Sequence, residues 1–435
     1  MRPDIDQEIF LKTMGLSLDQ APQLSIPASF FLTIPIGLLL AGYILLKTGI
    51  APLLSPWMPH AVALTHAGTV GVLAMGMIGA LYQMTPVVAG SPVPFTRIAH
   101  LVHLLLLTGL IGFIWRLLGG PVFAMSASII CFSVALPAFL LPVGWALLRA
   151  PTNDVTVQGM RVAVVSLVII LMIGLFMAMG FAGGNFPANR MLWMQVHLTL
   201  ALLGWVGGLI MAVSWQVIPM FYLAPTVSKT VRKRLLILLL AGLVLPLIVA
   251  LAGIGFDGFF TGPRLTAIAA LPAALVIWLL HPALILRGLM RRQRKRRDAS
   301  LLFWQAGLGV ALLIIPLAIA AQLLPDPRWQ VLFGWLVIWG WAATIMHGML
   351  SRIVPFLVWF HRYSARVGLE IVPSMRSLLP QKMIKIGLFL HMSSVLLGVL
   401  AIWFQANWLA QLTGLLLVTT AFSMASMLIY VLRYR

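Results

Sequence analysis

Residues 66–86 read HAGTVGVLAMGMIGALYQMTP, an apolar helix that begins with a histidine and ends in Gln-x-x-Pro. A second copy runs from His197 to Pro219 and ends in WQVIP, and a third ends in SRIVP at Pro355. The three prolines stand 133 and 136 residues apart. Self-similarity at a nearly fixed period predicts that the chain is built from three large repeats.

The composition indicates a polytopic membrane protein whose surroundings are the lipid bilayer. Hydrophobic residues make up 61% of the chain and charged residues 9%, with a mean hydropathy of +1.04; soluble domains carry roughly 25% charged residues. The net charge of +20 does not indicate a nucleic-acid partner, because the basic residues lie between apolar spans and act as topology determinants. A single cysteine, Cys131, excludes a disulfide framework and CxxCH haem attachment.

Stretches of about 20 apolar residues are long enough to cross a bilayer as helices. The sequence predicts twelve, at about 26–48, 61–88, 98–118, 122–148, 162–183, 192–222, 235–255, 265–288, 300–323, 329–360, 383–404 and 408–432. We therefore expect an all-α polytopic membrane protein that forms a single transmembrane domain over residues 1–435. Its twelve transmembrane helices would form three pseudo-symmetric four-helix repeats, at about 26–148, 162–288 and 300–432, after an N-terminal cytoplasmic tail of residues 1–25.

The distribution of lysine and arginine predicts the orientation. The two termini and the loops after spans 2, 4, 6, 8 and 10 hold 24 of the 29 basic residues, most densely in the run RRQRKRR at 291–297. The other side holds only Lys47, Arg116, Arg190, Arg264 and Arg328. By the positive-inside rule both termini are cytoplasmic, and we expect a multi-pass protein of the bacterial inner (cytoplasmic) membrane. Acidic residues precede the first span, so no cleavable signal peptide is expected.

The acidic residues all stand in tails, in loops or at the edges of spans. They are Asp4, Asp6, Glu8, Asp19, Asp154, Asp257, Asp298, Asp326 and Glu370. Ionisable residues within a membrane are costly, and in pumps they mark the ion path. Their placement argues against a carboxylate-driven pump or transporter.

Nine histidines in so apolar a chain are notable, because imidazole is a common ligand of haem iron, copper and zinc. His66 and His197 lie one to two turns below the predicted outer surface on equivalent helices of adjacent repeats, so they would face one pocket if these helices pack together. His103, His281, His347 and His391 fall in the inner half. For each histidine, the alternative is a hydrogen-bonded packing residue. Methionine thioethers suit Cu(I), but methionine also fills irregular apolar gaps.

This arrangement of twelve helices, with histidines on helices 2 and 6 of a threefold repeat, resembles the haem-copper oxidase subunit I superfamily. Within it, the signature helix resembles that of the NnrS family, membrane haem and copper proteins linked to the response to nitric oxide. The resemblance rests on His66, Gly71, Gly79-Ala80-Leu81 and Pro86-Val87-Val88-Ala89-Gly90. Leu64 and Ala67 stand where the NnrS motif has a histidine and a glutamate.

Carried over by position, the resemblance implies that His66 is a low-spin haem ligand and that His197 is a copper ligand or a residue lining the site. Residues 235–255 of helix 7 contain no histidine or tyrosine, so the copper-binding His-His pair and redox tyrosine of an oxygen reductase are absent. His347 is the third candidate. It lies eight residues before Pro355, whereas His66 lies twenty before Pro86, an offset of about 18 Å along the helix axis. His66 with His197 is therefore the better ligand pair.

The resemblance implies a haem-binding protein that acts in the nitric oxide response or in respiratory electron transfer and does not pump protons. We expect haem b as the cofactor, held by His66 and His197, with copper as a second candidate metal. Arg116 and Arg190 are the best-placed partners for the haem propionates, since arginine binds carboxylates through two hydrogen bonds. A respiratory or electron-donor protein would be the partner. The alternative is a non-enzymatic transporter or assembly factor for metal, haem or a small solute on the same scaffold.

Overall fold

A computed structural model describes residues 22–186, 189–255, 261–293 and 298–434. Over these residues the fold is all-α, without a β-strand. Twelve helices are long and apolar enough to cross a membrane: α1 Ser25–Thr48, α2 Pro59–Ala89, α3 Thr96–Leu117, α4 Val122–Leu148, α5 Val155–Gly183, α6 Arg190–Tyr222, α7 Lys229–Leu251, α8 Leu271–Met290, α9 Ala299–Leu323, α10 Pro327–Arg366, α11 Gln381–Phe404 and α12 Asn407–Arg433. The predicted all-α, multi-pass membrane fold with twelve spans is confirmed, and the threefold repeat stays a prediction.

Several residues used in the predictions lie outside the described part of the chain. They are Asp4, Asp6, Glu8 and Asp19 of the N-terminal tail, Asp257, and residues 294–297 of the basic run.

Three helix boundaries differ from those expected from hydropathy, each for a local reason. α5 begins about seven residues early because the Asp154 side chain caps it by accepting a hydrogen bond from the Thr156 amide at 3.2 Å. α7 begins about six residues early because Ser228 caps it in the same way. The predicted span at 265–288 is divided into a short helix, Gly262–Ala269, and α8. Pro272 lacks the amide hydrogen that would continue one helix through this point.

The interior of the fold is formed by α2, α6 and α10, the helices that carry the repeated sequence. They are the longest, with 31, 33 and 40 residues, and 67, 72 and 78% of their most apolar stretch is buried. In the other nine helices the corresponding share runs from 28 to 61%. The first and last helices of the chain pack against each other, with Gly42 of α1 in close contact with Gly414 of α12.

Each of the three interior helices contains a π-helical segment. The segments are Thr69–Ala74 in α2, Leu200–Gly207 in α6 and Leu336–Ala343 in α10. In every helix twelve residues separate the end of this segment from the repeated proline, from 74 to 86, from 207 to 219 and from 343 to 355. The segment of α10 contacts those of both α2 and α6. The three helices therefore meet at corresponding points along their length.

The glycines of the interior helices permit close helix packing. Gly71 of α2 lies directly against Gly37 of α1, where a Cβ on Gly37 would come within 2.5 Å of the Gly71 carbonyl carbon. Gly68 faces Ile338 and Trp339 of α10, and Gly207 faces Ile277 of α8. Small residues at such positions let helices approach in a membrane. Neighbouring helices therefore cover these glycine faces, and no open groove is left at Gly68, Gly71 or Gly207.

The described carboxylates are all ion-paired with arginine. The pairs are Asp154–Arg232, Asp298–Arg352, Asp326–Arg328 and Glu370–Arg366. Three of these aspartates also cap helices, namely α5, α9 and α10. The acidic residues within the described ranges thus have structural partners at helix ends.

The environment of Asp154 shows how capping and pairing act together. Burial acts to raise the pKa of its carboxyl, but the amide hydrogen bond from Thr156 and the charge of Arg232 outweigh burial and lower the pKa below its ordinary value. Arg352 of α10 has a carboxylate partner as well, because the cap at Asp298 places that carboxylate beside its guanidinium.

Candidate cofactor site

His66 lies in α2, three residues before the π-helical segment. Its Nδ1 is 2.8 Å from the Val62 carbonyl oxygen, one turn earlier in the helix. A carbonyl only accepts hydrogen bonds, so Nδ1 carries the proton and Nε2 carries the lone pair. The ring packs on Phe113 of α3, with the ring centroids 4.7 Å apart. This hydrogen bond is the one that commonly orients a metal-binding histidine.

His197 holds the corresponding position in α6, also three residues before the π-helical segment. Two more residues separate His197 from Pro219 than separate His66 from Pro86, and the segment of α6 is longer by the same two residues. The ring lies against α5, where a Cβ on Gly174 would come within 3.1 Å of Cε1. Its Nδ1 is buried and has no hydrogen-bond partner.

The structure brings these two predicted residues together. The imidazoles lie close enough to interact electrostatically, on the sides of α2 and α6 that face α3 and α5. Both lie deep in the protein, yet each keeps part of its surface accessible. The half-buried positions follow helical spacing, with Val62, Thr65, His66, Thr69 and Val70 on α2 and Met194, His197, Leu198 and Ala201 on α6. A loosely packed face therefore adjoins both imidazoles.

The two predicted arginines lie at the same end of the helices. Arg116 follows Phe113 by one turn of α3; its Nη1 donates to the Gly120 carbonyl at 3.3 Å, and its Nε is buried without a partner. Arg190 is the first residue of α6, and its guanidinium carbon lies 3.9 Å from the centroid of the Phe186 ring. It also lies 5.9 Å from the ring of Trp57, just before α2.

His347 does not join this group. It stands in α10 four residues after the π-helical segment, on the other side of the point where the interior helices meet. Its ring packs against Phe303 of α9 at 4.5 Å and against His391 of α11 at 5.7 Å, measured between centroids. The separation of His347 from His66 agrees with their unequal distances from the repeated prolines.

Three of the remaining histidines are hydrogen-bonded to hydroxyl groups of neighbouring helices. His103 pairs with Thr33, His281 with Ser214 at 2.8 Å, and His391 with Thr344 at 3.0 Å. The packing interpretation holds for these residues. Their partners lie 47 to 70 residues away in the chain, so nothing in the sequence near each histidine marks it.

The residues that the structure brings together here offer two imidazoles, and imidazole is a ligand type that haem iron takes in proteins. Within the described ranges, no group of three or more histidine, cysteine, aspartate or glutamate side chains is placed to hold a metal ion. Compared with models of known protein families and with curated proteins, the chain matches none.

Proposed function

We propose that this protein is a haem-binding integral membrane protein of the haem-copper-oxidase or NnrS-like type, with haem b held by His66 and His197. The observation that carries the proposal is the hydrogen bond from His66 Nδ1 to the Val62 carbonyl, which leaves Nε2 as a free ligand atom. The imidazole of His197, which lies close enough to His66 to interact with it electrostatically, would supply the second ligand. When bound, haem supplies reversible one-electron chemistry.

The residues around the imidazoles would orient the cofactor. Val62 fixes the His66 tautomer and increases the basicity of Nε2. Phe113 of α3 packs on the His66 ring and Gly174 of α5 lies against the His197 ring, so these two residues would line the cofactor. The propionates would point to the end of the helices that carries Arg116 and Arg190, and the unpartnered Nε of Arg116 is available to one of them.

The role that fits this cofactor is sensing, detoxification or electron relay in the nitric oxide response or in respiration. Helix α7 has neither histidine nor tyrosine, so a copper centre of the oxygen-reducing type has no ligands there. Copper remains a second candidate metal at His197. An electron-donor protein at the bacterial inner membrane would be the partner, with both chain termini in the cytoplasm.

The test is an optical spectrum of the full-length protein, purified in detergent after expression with ample haem. We expect a Soret band that is lost or strongly shifted in His66→Ala and weakened in His197→Ala. The matched control is His281→Ala, which removes an equally deep imidazole that is hydrogen-bonded to Ser214 and should leave the band unchanged. A wild-type protein without a Soret band contradicts haem binding. A band that survives the double His66→Ala and His197→Ala substitution contradicts the ligand assignment.

Two other outcomes separate this proposal from its alternatives. Metal uptake by proteoliposomes without a haem spectrum would favour a non-enzymatic transporter or assembly factor for metal, haem or a small solute. Copurification with respiratory subunits, without a cofactor on the isolated chain, would favour a structural subunit.

A further inference from the structure

A cleft of about 270 Å³, partly open to solvent, lies against α10 where α9 and α11 begin. Ser351 and Arg352 of α10 line one side, and Gln381, the first residue of α11, lines another. The Gln381 side chain accepts a hydrogen bond at 3.1 Å from the amide of Ala299, the first residue of α9. Because two membrane spans start at this level, the cleft lies near the surface of the bilayer, at the end of the helices that is predicted to be cytoplasmic.

Residues 367–380, which join α10 to α11, fold back over this cleft. The Trp359 indole nitrogen of α10 donates to the Pro373 carbonyl at 2.9 Å, and Leu378 and Leu379 are buried. These contacts hold the segment in place and bring Arg376 into the lining of the cleft. Arg376 is half-buried, and within the described ranges its guanidinium has neither an ion pair nor a hydrogen bond. The fold therefore holds a cation at the cleft without giving it a partner.

Arg352 supplies a second guanidinium, which the protein uses only in part. Its Nε donates to the Ser300 hydroxyl at 2.9 Å, and its Nη2 donates to the Asp298 carboxylate. These two bonds fix the orientation of the group. They leave Nη1 to donate to a ligand in the cleft.

The charge of the cleft is positive. Among the described residues that line it, none is acidic, and Asp298 offsets only one of the two guanidinium charges by its pairing with Arg352. The N-terminus of α11 at Gln381 adds a partial positive charge. Lys382 and Lys385 are exposed at the start of the same helix. Positive charge beside a bilayer attracts anions, so the ligand that fits the cleft is an anion.

We propose that this cleft is a binding site for a phosphate group, held by Arg376 and Arg352. The planar guanidinium matches the oxygens of a phosphate and binds them through paired hydrogen bonds. Basic pockets between helices at the cytoplasmic side of membrane proteins hold anionic lipid headgroups, so an anionic phospholipid and a soluble phosphate are the two sources of the group. A ligand held by both arginines would join residues 367–380 to α10 and so stabilise the folded protein.

The test is thermal unfolding of the full-length protein in detergent, followed by tryptophan fluorescence during titration with two ligands. Inorganic phosphate is compared with sodium chloride at equal ionic strength, and phosphatidylglycerol is compared with the uncharged lipid monogalactosyl diacylglycerol. We expect the melting temperature to rise in a saturable way with at least one of the two ligands. A response to phosphatidylglycerol alone identifies a lipid headgroup as the source, and a response to inorganic phosphate shows that the site also admits a soluble phosphate.

Two variants test the residues of the site against a matched control. Arg376→Gln removes the unpaired guanidinium and should weaken binding roughly 10- to 100-fold. Gln381→Glu keeps an oxygen that accepts from the Ala299 amide but places a negative charge in the cleft, and it should abolish the response. The control is Arg234→Gln, which removes an exposed arginine near the start of α7 and should keep the wild-type affinity.

A wild-type melting temperature that responds to neither ligand overturns the proposal, as does a wild-type affinity in Arg376→Gln. An equal loss of affinity in Arg234→Gln also overturns it, because the effect is then one of overall charge. If Arg376→Gln is unfolded without ligand, Gln381→Glu decides, since a lost response supports the site and a wild-type response overturns it. The cleft uses neither His66 nor His197, so the Soret band should be the same in all these variants and the outcome is independent of the haem proposal.

Discussion

Replacing Gly37 by alanine should separate α1 from the π-helical segment of α2. The added Cβ would lie 2.5 Å from the carbonyl carbon of Gly71 and 2.6 Å from its oxygen. Carbon atoms in contact prefer a separation of about 3.5 Å or more, so the helices would have to part by roughly 1 Å. The obstacle is backbone, which has no rotamer to change.

The expected magnitude follows from two opposing effects. Overpacking of a well-packed interior costs about 1–3 kcal/mol. The higher helix propensity of alanine returns at most about 1 kcal/mol. We therefore expect Gly37→Ala to lower the free energy of unfolding by up to about 2 kcal/mol, with the loss of packing between α1 and α2.

The measurement is unfolding in mixed micelles of a nonionic detergent and sodium dodecyl sulfate, followed by tryptophan fluorescence. The control is Gly309→Ala on α9, where an added Cβ meets nothing within 4 Å, so that this variant should be neutral or slightly more stable. If Gly37→Ala proves at least as stable as Gly309→Ala, the close α1–α2 contact described here is refuted.

Two further predictions concern the ion pairs at helix ends. Asp298→Ala and Arg352→Ala should each lower the free energy of unfolding by about 3–5 kcal/mol, because each leaves the other charge largely buried and unpaired. The double variant should lose clearly less than the sum of the two single variants. Strictly additive losses would contradict the ion pair. Asp154→Asn should keep the cap on α5, whereas Asp154→Ala should lose about 1 kcal/mol. Because the folded-state pKa of Asp154 is lowered, its charge stabilises the protein fully above about pH 4 and progressively less as the pH falls through the folded-state pKa. The difference in melting temperature between wild type and Asp154→Asn should therefore vanish in acid, and a difference that grows in acid would refute the assignment.

Apolar length alone was enough to predict the membrane spans, because a bilayer imposes the same requirement on every helix that crosses it. The predicted span at 26–48 agrees with α1, Ser25–Thr48, to within one residue. The predicted first residues of α5 and α7 were wrong because these helices begin with polar residues after Asp154 and Ser228, and hydropathy counts polar residues as lying outside a span. Asp154 and Ser228 are common helix-capping residues, and counting them as such would have placed the first residues of α5 and α7 correctly.

The site was only partly predictable. His66 and His197 could be singled out because the repeated helix places them at equivalent positions, and their imidazoles lie close enough to interact electrostatically; their role as ligands stays a prediction. The role of Arg352 could not, because its partner Asp298 stands 54 residues earlier and only the folded chain places the two side by side. Likewise, nothing in the sequence near His391 marks its hydrogen bond with Thr344, which stands 47 residues earlier in the chain.

The π-helical segments have a consequence for how the interior helices can vary. A π turn holds one residue more than an α turn, and one residue corresponds to about 100° of rotation about an α-helix. The half of α6 before residues 200–207 is therefore rotated out of phase with the half after them, and no single helical wheel describes both. One residue gained or lost within residues 200–207 would turn His197 toward a different neighbour and leave Pro219 in place. Residues 200–207 therefore allow the half of α6 that carries His197 to change its rotation independently of the half that carries Pro219.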